Sequence, residues 1–150
     1  MRCDIQHQPR VNRHSHVHSS MSIVNEAPRG GLIETINDRQ CVLLLRNGEI
    51  ERFEDKHRGI FDVWAGFFEA GKKPTSTEVR DLIALGLVGG GMKHWEADKI
   101  VDSATPADLL RFYQIAQACL GSAFLPQVAE QADKKKDDLE TETNQKTKAD

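Results

Sequence analysis

The stretch Thr75–Gly91, TSTEVRDLIALGLVGGG, carries a start signal, an apolar face and a stop for one helix. Thr75 is a good N-cap, and Glu78 stands three residues later, the reciprocal spacing of a capping box. Val79, Leu82, Ile83 and Leu87 recur at i, i+3, i+4 and i+8, with Gly86 on the same face at i+7. Gly89-Gly90-Gly91 ends the helix, because glycine accepts the left-handed conformation that closes a C-terminus. Burying the four aliphatic side chains stabilises the fold by roughly 1.5–3 kcal/mol each before entropy is counted. Such a helix needs neighbours on its apolar side, so it is expected at the centre of a small bundle.

A chain of 150 residues fits one domain with a modest core. Hydrophobic residues make up 39% and charged residues 29%, which matches a core with solvated extensions. The net charge of −3 gives no electrostatic case for nucleic acid or an anionic membrane. No apolar run is long enough to span a bilayer, and residues 1–25 lack the apolar segment of a signal peptide. Cys3, Cys41 and Cys119 are far apart, with no CxxC, which fits a reducing cytoplasm and neither a disulfide framework nor a zinc site.

Residues 1–28 are polar and without pattern, and are expected to be disordered. His14, His16 and His18 alternate, so an extended backbone would put their imidazoles on one side. A segment without supporting structure offers no preformed geometry, so no metal is expected there. Met21 is an alternative start that would make residues 1–20 an artefact. From Gly31 a hairpin is expected: Leu32–Ile36 is β-prone, Asn37–Gln40 turn-rich, and Cys41–Leu45 a second apolar run. An isolated hairpin is marginal in water, so it must lie on helices or pair with another chain through an exposed edge.

Four helices besides the central one are legible or partly so. Asn47 reads as the N-cap of a short helix with Ile50 and Phe53. Ile60, Val63, Trp64, Phe67 and Phe68 follow at helical spacing and stop at Gly71. Phe61 and Phe68 read as opposite flanks of that helix that cannot share its main stripe, and Trp95 lies off the Ala97, Ile100, Val101, Ala104 face. These three aromatics are therefore the candidate partner-binding residues. Thr105-Pro106-Ala107-Asp108 opens a long amphipathic helix that stops before Pro126. The whole reads as a mainly α, α+β fold. A hairpin and four to five helices fill residues 29–127, and 128–150 is a disordered charged tail.

Catalytic constellations are missing: there is no Walker loop, GxGxxG, HExxH or nucleophile elbow, so neither an enzyme nor a cofactor is expected. The triple glycine follows a helix and lacks the strand, lysine and hydroxyl of a phosphate cradle, so the helix stop accounts for it. His57 and His94 read as isolated surface residues. A helix-turn-helix reading fails because HWEADKIVDSA sets Glu96, Asp98 and Asp102 against Lys99, the wrong sign for a phosphate backbone.

The order of the pieces goes further: a hairpin, then NGEIERFE, an aromatic helix ending in AG, EVRDLIALGLVGGG, an AD-x-IVD helix and a longer final helix. Over residues 29–125 this resembles the gene transfer agent family of tail proteins, akin to tail assembly chaperones of siphophage-like particles. Asn47–Glu54, Val79–Gly91 and Ala97–Val101 carry most of the likeness. The resemblance implies a non-enzymatic cytoplasmic role in tail morphogenesis, with the tape measure protein and tail tube subunits as partners. Members of the family have also been labelled tail tube proteins, a reading disfavoured here because a tube subunit needs an extensive sheet. The rival from another class is a small helical regulatory or nucleic-acid-binding adaptor.

Overall fold

The computed structural model describes residues 26–146. The His14, His16, His18 run and Met21 therefore lie outside the described residues. Among the described residues the order is β1 (Gly31–Ile36), β2 (Arg39–Leu44), α1 (Asn47–Glu54), α2 (Ile60–Phe68), α3 (Ser76–Gly89), α4 (His94–Asp102), α5 (Pro106–Phe124) and α6 (Pro126–Lys146). The expected hairpin-plus-helices architecture is the one observed.

The hairpin turn is tighter than its turn-rich flank implied. Asn37 and Asp38 alone close it, both at positive φ (51° and 60°). That geometry matches the twist of the strands, and short polar side chains tolerate it. The strands pair antiparallel with Ile36 opposite Arg39 and Gly31 opposite Leu44. The apolar run of β2 alternates in burial: Cys41, Leu43 and Leu45 enter the core, while Val42 and Leu44 stay half-buried on the other face.

Caps account for the helix starts. At α1 the N-cap is Arg46 rather than Asn47, because Glu49 reaches back to accept from the Arg46 amide at 3.0 Å. At α3 the expected box forms: the Glu78 amide donates to Thr75 Oγ1 at 3.2 Å and the Thr75 amide to Glu78 Oε1 at 3.0 Å. At α5 the Thr105 amide donates to Asp108 Oδ2 at 2.9 Å, with Pro106 at the first helical position. The polar stretch expected to be a disordered tail continues from Pro126 as α6. Its alanines, glutamates, glutamines and lysines are good helix formers, so local propensity suffices without a buried face. From Glu130 to Leu139 every residue is exposed.

The core gathers around α3, which touches β2, α1, α4 and α5. Leu82, Ile83 and Leu87 are fully buried, together with Leu43, Phe53, Ile115 and Leu120. The triple glycine does more than stop this helix. A Cβ on Gly89 would sit 1.8 Å from the Leu44 carbonyl oxygen, and one on Gly90 2.0 Å from that of Val42. Only Gly91, at φ +108°, is needed for its backbone conformation. Gly89 and Gly90 are there because the end of α3 lies directly against the backbone of β2. No helix among the described residues is long and apolar enough to cross a membrane.

Candidate partner-binding surface

α2 is apolar on two sides. Its first stripe, Ile60, Val63 and Phe67, is buried. Gly66 stands within the same helix where a Cβ would come within 2.1 Å of the Lys72 carbonyl oxygen, so the chain after the helix folds back tightly. The second stripe is Phe61, Trp64 and Phe68, at i, i+3 and i+7. Phe61 is 76% exposed and Phe68 43%. The expectation that Phe61 and Phe68 occupy opposite flanks is corrected here: seven residues make two helical turns, so they share one flank.

Phe124, in the last turn of α5, joins this stripe into one surface. Trp64 packs on Phe68 with ring centroids 4.2 Å apart, and on Phe124 at 5.2 Å, while Phe61 meets Phe124 at 5.9 Å. The centroid distances lie in or just below the range favoured by aromatic pairs, two of them tilted and the Trp64–Phe124 pair stacked. α5 holds the arrangement through residues spaced along one face. Tyr113 packs on Phe67 at 5.0 Å, Gln117 Nε2 donates to the Phe67 carbonyl at 3.1 Å, and a Cβ on Gly121 would touch the Phe68 ring at 3.4 Å. The sequence reading missed Phe124, although it continues the Tyr113, Ala116, Leu120 phase of α5, because that phase says only that the ring is apolar-facing and not which rings it meets. Its role arises from ring contacts between the end of α5 and α2.

Trp95 is 62% exposed on α4, and among the described residues it makes no ring contact with this group. The three candidate residues are thus exposed, but Trp95 stands apart from the other two.

Elsewhere a groove of about 250 Å³ is lined by Arg52, Asp55, Lys56, Asp81, Leu85 and His94, among others. His57 does not behave as an isolated surface residue. Its Nε2 lies 2.5 Å from Asp81 Oδ2, and its ring packs on Phe53 at 4.6 Å. Nearby, Arg58 Nε donates to Glu78 Oε2 and Arg58 Nη2 to the Lys72 carbonyl, both at 2.8 Å, tying the loop before α2 to the cap of α3. Burial opposes ionisation of Glu78, but the bonds from Arg58 and the Thr75 amide outweigh it and hold the carboxyl below its ordinary value. Glu49 is lowered in the same way, burial being overcome by its bonds from Arg46. Burial pushes the Cys119 thiol up to about 12. No group of acidic, histidine or cysteine side chains among the described residues has the arrangement to hold a metal ion.

A family model described as "Phage tail tube protein, GTA-gp10" matches residues 29–125. The chain belongs to this family. It is therefore a tail protein of the phage and gene transfer agent kind. The match runs from just before β1 to the end of α5, so it contains Phe61, Trp64, Phe68 and Phe124 and leaves out α6. Searches of curated proteins and of solved structures each returned no match.

Proposed function

We propose that this tail protein is an assembly chaperone. It holds an amphipathic helix of the tape measure protein against the aromatic surface of α2 and α5 until tail tube subunits polymerise, and it performs no enzymatic step. The supporting observation is the exposure of Phe61 and Phe68, backed by the half-buried rings of Trp64 and Phe124, on an otherwise well-buried core. Rings held rigidly by a neighbouring helix are the kind of anchor that receives the apolar face of a partner helix. Trp95 supplies a second contact.

The family's own description names a tail tube protein. A tube wall is built by strands that continue from subunit to subunit, and the sheet here has two strands among the described residues. That favours the chaperone over the wall subunit.

The test is co-expression with a tape measure protein, comparing its solubility with wild type, Phe61→Ala, Phe68→Ala and Trp95→Ala. Each anchor should cost about 2 kcal/mol or more of binding on truncation. Wild type should keep the partner soluble, and the variants should lose it while remaining folded. A partner equally soluble without this chain sinks the chaperone reading. Polymerisation of the purified chain into tubes would establish the wall subunit instead.

A further inference from the structure

We propose that the outer edge of β1 is a dimerisation site that takes β1 of a second copy of this chain, antiparallel and centred on Ile33. The two-residue turn makes Ile36 and Arg39 a hydrogen-bonded pair, and pairs alternate from there. Gly31, Ile33 and Thr35 therefore turn their backbone groups away from β2. The Gly31 amide donates outward to the Pro28 carbonyl at 2.8 Å, in keeping with that phase. Among the described residues, Ile33 and Thr35 have no hydrogen-bond partner on this outer side.

The two edges of the hairpin are treated differently. On β2 the outward carbonyls of Val42 and Leu44 are those covered by Gly90 and Gly89. Among the described residues Ile33 and Thr35 of β1 have no such cover on their outward backbone groups, although Pro28 closes over Gly31 and α5 packs against the strand. Of the usual protections of an edge strand it keeps only the inward-facing Glu34, since GLIETI contains no lysine, no proline and no bulge. Its sole charge, Glu34, is held by Arg111 at 2.6 Å. A half-buried strand this β-prone, with Ile33 and Thr35 unpaired on its outer side and the other edge of the hairpin covered at Val42 and Leu44, is built to pair.

A second copy fits because the edge is self-complementary. With Ile33 opposite its counterpart, the two Ile33 residues exchange both hydrogen bonds and each Thr35 amide faces the Gly31 carbonyl of the other copy, while the Gly31 amide keeps its bond to Pro28. The known register then extends across four strands as Val42, Ile33, Ile33, Val42, a continuous row of β-branched side chains on the outer face. Each Glu34 lies opposite Leu32 of the other copy, so like charges do not meet. The helical partner proposed above offers no strand, whereas the chain itself carries the matching one. This site is independent of the aromatic surface, and the contact is isologous and closed. Edge pairing buries little area, so the association should be weak and depend on concentration.

Sedimentation velocity over a concentration series tests this on the full chain, with wild type, Ile33→Lys and Thr35→Pro compared. Ile33→Lys sets two ammonium groups face to face on the half-buried outer face, and Thr35→Pro removes an amide that the hairpin itself does not use. Wild type should move from monomer to dimer, and both variants should raise the dimer dissociation constant about tenfold or more while keeping the wild-type melting temperature to within a few degrees. A wild type that stays monomeric at its highest soluble concentration overturns the proposal. So does a folded Ile33→Lys or Thr35→Pro that dimerises as wild type does, each variant standing in for the other should one fail to fold.

Discussion

α2 and α3 both look like core helices by composition, and only α3 is one on nearly every side. α2 is the more apolar, IFDVWAGFF with Asp62 as its sole charge, yet it leaves Phe61 and Phe68 open to water. α3 carries Glu78, Arg80 and Asp81 and still buries Val79, Leu82, Ile83, Ala84 and Leu87. The difference lies in their neighbours. α3 is surrounded by β2, α1, α4 and α5, whereas α2 is backed by α1 on one side and by residues of α5 on another. An apolar side chain is buried only if some element arrives to cover it. The surplus on α2 is what remains for a partner.

Truncating the two helices should separate these roles most sharply. Leu82→Ala should cost about 2–5 kcal/mol in chemical denaturation, since the side chain is fully buried and its cavity cannot fill. A loss below about 0.5 kcal/mol would mean that α3 is a surface helix. The next effect belongs to the contact between α3 and β2. Gly89→Ala should destabilise by about 1–3 kcal/mol, because its methyl group has no room beside the Leu44 carbonyl. An unchanged melting temperature would show that the helix end stands off the strand.

A smaller effect concerns the cap that starts α3. Glu78 has its carboxyl lowered in the folded chain, so its contribution is present above the unfolded carboxylate range, about pH 4.3, and is lost as pH falls through the folded value. Glu78→Gln should cost about 1 kcal/mol at neutral pH and flatten part of the acid limb of stability, with Glu49 retaining the rest. An acid limb that is unaltered in the variant would remove Arg58 and Thr75 as its cause. The smallest effect is on the open side of α2. Phe61→Ala should change stability by no more than about 0.5 kcal/mol while impairing partner solubility. A core-sized loss there would make the aromatic surface a packing feature.

Much of the fold could be read from local chemistry. The Thr75 box, the Thr105–Asp108 start and the α3 stripe all depend on residues within a turn or two of one another, and each stands where its spacing put it, while the hairpin turn closes on Asn37 and Asp38 alone, inside the stretch expected for it. The candidate surface was legible only in part. Phe61, Phe68 and Trp95 were visible as a surplus of large rings, but their grouping was misjudged. Phe124 went unseen, because its contact with Trp64 joins residues 60 positions apart. The same holds for His57, whose partner Asp81 lies on another helix.

The sequence by itself determined the hairpin, the five helices up to Phe124 and the starts of α3 and α5, because caps, turns and apolar periods are local free energies of about 1 kcal/mol that need no distant partner. It also determined that α3 must be buried. Tertiary structure alone decided which aromatic residues form one surface, why Gly89 and Gly90 must be glycine, and which edge of the hairpin is sealed. Those outcomes depend on where one element crosses another, and a crossing is set by the packing of the whole core rather than by any single stretch of chain.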